Sequence, residues 1–135
     1  MMKKERFDLS DKEQRVMDLL WENPEGLTSV DILEQARDIL TTPVYVHRAL
    51  NVLLAKKLIE ECGSVRYNKQ YARKFKASMT REEFGAGLLA QRGMGISSLH
   101  RIAVAFCKQE SDNQEEREKL IEELEQMIND LRGEN

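Results

Sequence analysis

Two cysteines in 135 residues exclude most of what cysteine does for a protein. Cys62 and Cys107 lie far apart and in no metal-type spacing, so the expectation is two free thiols in a reducing cytoplasm. Long apolar runs are missing as well, and nothing approaches the roughly 20 residues that a membrane-crossing helix needs. The start, Met1-Met2-Lys3-Lys4-Glu5-Arg6, is basic but no apolar stretch follows it, so no signal peptide is expected. Catalytic signatures are equally scarce. His47 and His100 stand apart from any Cys or Ser nucleophile pattern. Gly85-Ala86-Gly87 lacks the preceding strand and the fingerprint of a phosphate-binding loop, and reads instead as a place of close helix packing. Glu82-Glu83 and Glu122-Glu123 read as capping or solvated-face residues. The expectation is a protein with no catalytic residues, no cofactor and no metal, and so not an enzyme.

What is present is organised by charge. The formal net charge of −3 hides a division along the chain. Between residues 41 and 81 nine Lys or Arg face only Glu60 and Glu61, whereas from residue 108 onward ten acidic residues face four basic ones. A basic middle and an acidic end imply different partners for the two parts. The length suits one compact domain, or one domain with an appendage.

Local signals mark the helices. Ser10-Asp11-Lys12-Glu13 is a capping box with Leu9 before it as a staple, and Val16, Met17, Leu20 and Trp21 then recur on one helix face. Asn23-Pro24-Glu25-Gly26 ends that helix. Thr28-Ser29-Val30-Asp31 starts a second, with Ile32, Leu33, Ala36, Ile39 and Leu40 as its apolar stripe. Thr42-Pro43 opens a third as N-cap and first-turn proline. Its inward face is Val46, Ala49, Leu50, Leu53 and Leu54, and its outward face is Val44, Tyr45, His47, Arg48, Asn51 and Val52. Three short helices so briefly joined have the size and order of a helical DNA-binding unit.

From residue 58 to 76 the β-formers Val65, Tyr67, Tyr71 and Phe75 predict a two-stranded hairpin, a wing. Its tip falls either at Cys62-Gly63-Ser64-Val65 or in the stretch from Arg66 to Lys69, the second being midway along the segment and preferred. Thr80-Arg81-Glu82-Glu83 is a further capping box, opening a helix through Phe84, Leu88 and Leu89 that Gly93-Met94-Gly95 interrupts. Another helix carries Leu99, Ile102, Ala103 and Phe106. After the polar break Ser111-Asp112-Asn113-Gln114, a last helix repeats Leu120, Leu124, Met127 and Leu131. That seam is too short to stand alone, so it packs either on its own domain or on a second copy.

Four sets of residues, in order, resemble the BlaI/MecI/CopY (penicillinase repressor) family. They are Leu9-Ser10, Glu13, Val16-Met17 and Leu20-Trp21; Thr42-Pro43, Val46, Leu50-Asn51, Leu53 and Lys56-Lys57-Leu58-Ile59; Phe75, Met79-Thr80 and Glu82-Glu83-Phe84; and Ser98-Leu99, Ile102 and Ala105-Phe106 before the acidic helix. Together they span roughly residues 8–131. The resemblance implies a mainly α fold with a small β-hairpin, a winged helix-turn-helix DNA-binding domain at residues 1–78 and a helical dimerisation region at 79–135. It implies a cytoplasmic repressor of transcription that binds a pseudo-palindromic operator in double-stranded DNA as a homodimer, with no membrane association. The expected dimerisation residues are Leu99, Ile102, Phe106, Leu120, Leu124, Met127, Ile128 and Leu131. The family's penicillinase branch is released when a signal-activated peptidase cuts an Asn-Phe bond, and the corresponding bond here is Ala105-Phe106. The paired Cys-x-Cys of the copper branch is missing.

The expected reading head is the third helix, where Arg48 pairs with guanine, Asn51 with adenine, Tyr45 and His47 with bases or phosphate, and Val44 with a thymine methyl. Arg66, Lys69, Arg73 and Lys74 on the wing, and the helix starts at Thr28 and Thr42, are expected at phosphates. Tyr71 is expected to pack the wing on the core; Tyr67 either does the same or joins the DNA face. A second reading is a winged-helix module that binds protein through Val44, Tyr45 and Val52, which the like charges of the wing disfavour.

Overall fold

The computed structural model describes residues 5–110 and 113–133. They form two compact units, the first ending at Gly93 and the second beginning at Met94. The first unit starts with α1 (Asp11–Glu22), whose first turn is closed by the expected box. Ser10 Oγ accepts from the Glu13 amide at 3.2 Å, and the Glu13 carboxylate accepts from the Ser10 amide at 3.1 Å. That service explains a buried glutamate on a helix that otherwise buries Val16, Met17, Leu19 and Leu20. Asn23 ends the helix, its side-chain amide donating to Leu19 O at 2.8 Å, and Gly26 turns the chain with φ +102°.

Thr28 and Asp31 make the second box and open α2 (Ser29–Gln35). Pro43 is the first residue of α3 (Pro43–Ala55), which buries Val46, Ala49, Leu50 and Leu53. The Leu58 amide donates to Leu53 O and the Lys57 amide to Leu54 O, both at 3.0 Å. This closes α3 in the Schellman manner, with Lys57 at φ +60° where glycine is the usual occupant.

The sheet has three antiparallel strands, one more than the hairpin expected from the sequence. Its order is β1 (Leu27–Thr28), β3 (Gln70–Ala77), β2 (Ile59–Tyr67). β1 is two residues long and pairs Leu27 with Phe75 and Thr28 with Lys74, so β3 is central and its Phe75 ring lies in the core. A bulge at Cys62 separates the pairs Glu61–Phe75 and Gly63–Lys74. The tip is the Asn68-Lys69 turn between Tyr67 and Gln70, within the second of the two stretches considered, and Asn68 takes the positive φ of +54°.

The third box, Thr80 with Glu83, opens α4 (Arg81–Gln91). This helix belongs to the first unit, so packing divides the chain one helix beyond the 78/79 boundary expected from the sequence. The reason is Phe84, which is buried with its ring edge-on to Phe7 at 5.2 Å and to Trp21 at 5.4 Å. Burying such a ring contributes roughly 1.5–3 kcal/mol, with about 0.5–1.5 kcal/mol more per aromatic pair. Trp21 Nε1 also donates to Met79 O at 3.0 Å.

The second unit has a 3-10 turn at Ile96–Ser98, α5 (Leu99–Glu110) and α6 (Gln114–Leu131). Asn113 caps α6, its side chain accepting from the Glu115 amide at 2.9 Å. Of the polar break expected before that helix, Ser111 and Asp112 lie outside the described residues.

Candidate nucleic-acid interface

The sequence of α3 divides its surface in two. Residues 46, 49, 50 and 53 recur at three- and four-residue steps and are buried, which turns Val44, Tyr45, His47, Arg48 and Asn51 outward. Val44 is 56% exposed, an uneconomical position for an aliphatic side chain unless something covers it. The side chains of His47, Arg48 and Asn51 make no hydrogen bond or ion pair among the described residues, so their donors and acceptors are open to base edges. Val52 was expected on this face and is half-buried instead. Thr42 is exposed and accepts the Tyr45 and Val46 amides through its carbonyl, at 3.2 and 3.4 Å. Pro43 has no N–H, which leaves the Val44 amide as the first donor of a helix start suited to an anion.

Thr28 is held differently. It is 0% exposed, its amide donates to Asp31 Oδ2 at 3.1 Å, and its hydroxyl oxygen accepts from the Asp31 amide at 3.2 Å. Pairing of β1 with β3 draws Thr28 inside and Asp31 satisfies its amide, so any backbone donor that this helix start offers belongs to the residues after Thr28. Tyr67 Oη lies 3.3 Å from Thr28 Oγ1, so this tyrosine fastens the wing to the start of α2 while its ring stays partly exposed.

The charges of the wing are sorted by strand pairing. Arg73 lies 3.5 Å from Glu61 and Lys76 lies 3.5 Å from Glu60, both exposed cross-strand pairs. Lys69 and Lys74 make no ion pair among the described residues. Arg66 is held by its own turn, with Nε donating to Asn68 O at 2.8 Å and the guanidinium 5.9 Å from the Tyr71 ring. The two acidic residues counted in the basic middle thus partly neutralise the base of the wing and leave exposed Arg66 and Lys69 and half-buried Lys74 without a carboxylate partner among the described residues.

Two residues at this surface escaped the sequence. Tyr71 is 69% exposed rather than packed on the core, because it pairs with Arg66 beyond the reach of the three-stranded part of the sheet. Counting alternate residues outward from Phe75 gives its side of the strand but not where the core stops. Lys12 places Nζ 4.5 Å from the centre of the Tyr45 ring, joining the first turn of α1 to the first turn of α3. No local signal announces a contact between residues so far apart.

The second unit places the remaining candidates. Leu120 and Leu124 are half-buried and, with Ala103, Val104 and Cys107 of α5, line a groove of about 590 Å³. Leu99, Phe106, Met127, Ile128 and Leu131 are exposed, Leu131 by 73%, and Ile102 is half-buried. The seam read from the sequence is therefore covered only in part, with Leu120 and Leu124 lining the groove with α5 while Met127 and Leu131, on the same side of α6, are exposed. Ile121, absent from the expected set, is exposed in line with Ile128. Ala105 and Phe106 are both exposed within α5. Among the described residues no group of three or more His, Cys, Asp or Glu could hold a metal ion, and no helix is long and apolar enough to cross a membrane.

A family model described as Penicillinase repressor matches residues 9–126. Among solved structures, the adhesin competence repressor AdcR of Streptococcus pyogenes is 12% identical with a TM-score of 0.45, over 96% of this chain and 85% of that one. A MepR mutant from a multidrug-resistant S. aureus clinical isolate is 22% identical with a TM-score of 0.47, over 94% of this chain and 82% of that one. A mutant of ZitR from Lactococcus lactis is 18% identical with a TM-score of 0.44, over 96% and 80%. No curated protein matches the chain at a significant level.

Proposed function

The chain belongs to the penicillinase repressor family, and from that premise we propose that it represses transcription by binding a pseudo-palindromic operator as a homodimer. Membership makes it a DNA-binding regulator of transcription and not an enzyme. The observation that carries the finer reading is the outward face of α3. Arg48, His47 and Asn51 stand exposed and unpartnered beside Val44 and Tyr45, on a helix whose other face is locked into the core.

Set into a major groove, Arg48 donates two bonds to a guanine, Asn51 exchanges a donor and an acceptor with an adenine, and Val44 packs on a thymine methyl. The Val44 amide, Arg66, Lys69 and Lys74 contact phosphates, which fix register without reading sequence. Arg73 contributes less there, because Glu61 shares its charge. One unit of this size holds one half-site, and a second copy supplies the second. Ile121, Ile128 and Leu131 on α6, with Phe106 on α5, give that copy an apolar surface to cover.

Arg48→Ala tests the reading head. A lost bidentate guanine contact costs about 1–3 kcal/mol per half-site, so operator binding weakens by at least tenfold while sedimentation still reports a dimer. Undiminished operator binding by the variant would place the reading head elsewhere.

A further inference from the structure

The closing carbonyls of α3 have no helical successor to satisfy them, and the segment before α1 supplies the donors. Arg6 Nε donates to Lys56 O at 2.9 Å and Arg6 Nη2 to Lys57 O at 3.1 Å, a cation at the negative end of the helix dipole. Lys56 returns the contact, its Nζ donating to Asp8 O at 2.6 Å and to Glu5 O at 3.2 Å. The same short segment grips α4. The Phe7 amide donates to Gln91 Oε1 at 2.9 Å, and Asp8 Oδ1 accepts from Gln91 Nε2 at 3.0 Å and from Arg92 Nη2 at 3.1 Å. The Phe7 ring occupies the space beside Gly87, where any Cβ would overlap it.

We propose that residues 5–8 are a strap holding the C-terminal end of the recognition helix to α4, which makes Arg6, Phe7 and Asp8 positioning residues for operator recognition. They act through the pitch of α3 and do not touch DNA. The inference rests on the operator reading above and extends it to regulation. α4 is the last helix before the chain leaves the first unit at Gly93, so a shift of α4 reaches the reading helix through the strap. A strap so built also explains a glycine in the middle of α4. Alanine would suit the helix better, but it would displace Phe7.

The test uses the full chain and two readouts. Hydrogen exchange follows the Lys56, Lys57 and Leu58 amides, which close α3. Anisotropy gives the ratio of affinities for a duplex from the protein's own promoter and for a scrambled duplex. In Gly87→Ala the three amides exchange faster on the order of tenfold, and the ratio falls on the order of fivefold with non-specific binding unchanged. Phe7→Ala combined with Gly87→Ala is no worse than Phe7→Ala alone, since the overlapping ring is gone. Should Gly87→Ala fail to fold, Arg6→Gln and Asp8→Asn make the same measurement at side chains that reach the surface. Unchanged exchange at those amides, or a wild-type ratio in a folded variant, overturns the strap. A wild-type chain that binds both duplexes equally counts against the operator reading instead, and the exchange arm then decides the strap alone.

Discussion

Lys69 and Lys74 offer a quantitative test of the proposed contact between wing and DNA. Neither makes an ion pair among the described residues, so each is free to displace a counterion from a phosphate. In a dimer, replacing both by alanine removes four phosphate contacts. At about 0.9 per contact, the slope of log affinity against log salt then becomes shallower by about 3.6. Between 50 and 200 mM salt that amounts to about two decades of affinity change no longer lost. The change is the same on operator and scrambled duplexes, because phosphate contacts carry no sequence information. Arg73→Ala flattens the slope less, since Glu61 lies 3.5 Å away and already offsets its charge. Glu61→Gln releases Arg73 and steepens the slope. Fluorescence anisotropy across the salt series measures all three variants against the wild type. A slope unchanged in the double variant, or a loss confined to the operator duplex, would refute this account of the wing.

Two further outcomes follow from the geometry. Lys57→Gly removes a side chain from a left-handed position at φ +60° while keeping the carbonyl that Arg6 and Ser78 bond, and stabilises the fold by about 1 kcal/mol in urea unfolding. Ile121→Glu with Ile128→Glu charges the exposed stripe of α6, and sedimentation is expected to report monomers whose winged unit keeps its thermal transition.

Much of this fold was legible because its signals are local. The three boxes at Ser10/Glu13, Thr28/Asp31 and Thr80/Glu83 need only four consecutive residues each, and the faces of α1 and α3 need only their own periodicity. β1 was not legible: two residues have no period, and Leu27-Thr28 is a strand only because the edge of β3 pairs with it. The same pairing buries Thr28, an outcome that no local rule contains. Residues 5–8 were opaque for a related reason. Their partners are 48 to 84 positions away, and a short mixed segment carries no pattern that points to them. In α6 the four-and-three spacing identified an apolar side without saying how far α5 covers it: Leu120 and Leu124 line the groove, and Met127 and Leu131 on the same side are exposed.

The most direct test of the central claim is the binding of the purified chain to a duplex covering its own promoter, against a scrambled duplex, with stoichiometry determined at saturation. Tight, salt-sensitive binding to the promoter duplex alone, at two chains per duplex, is the predicted result. Equal weak binding to both duplexes, or saturation at one chain, would contradict a dimer that reads DNA through α3.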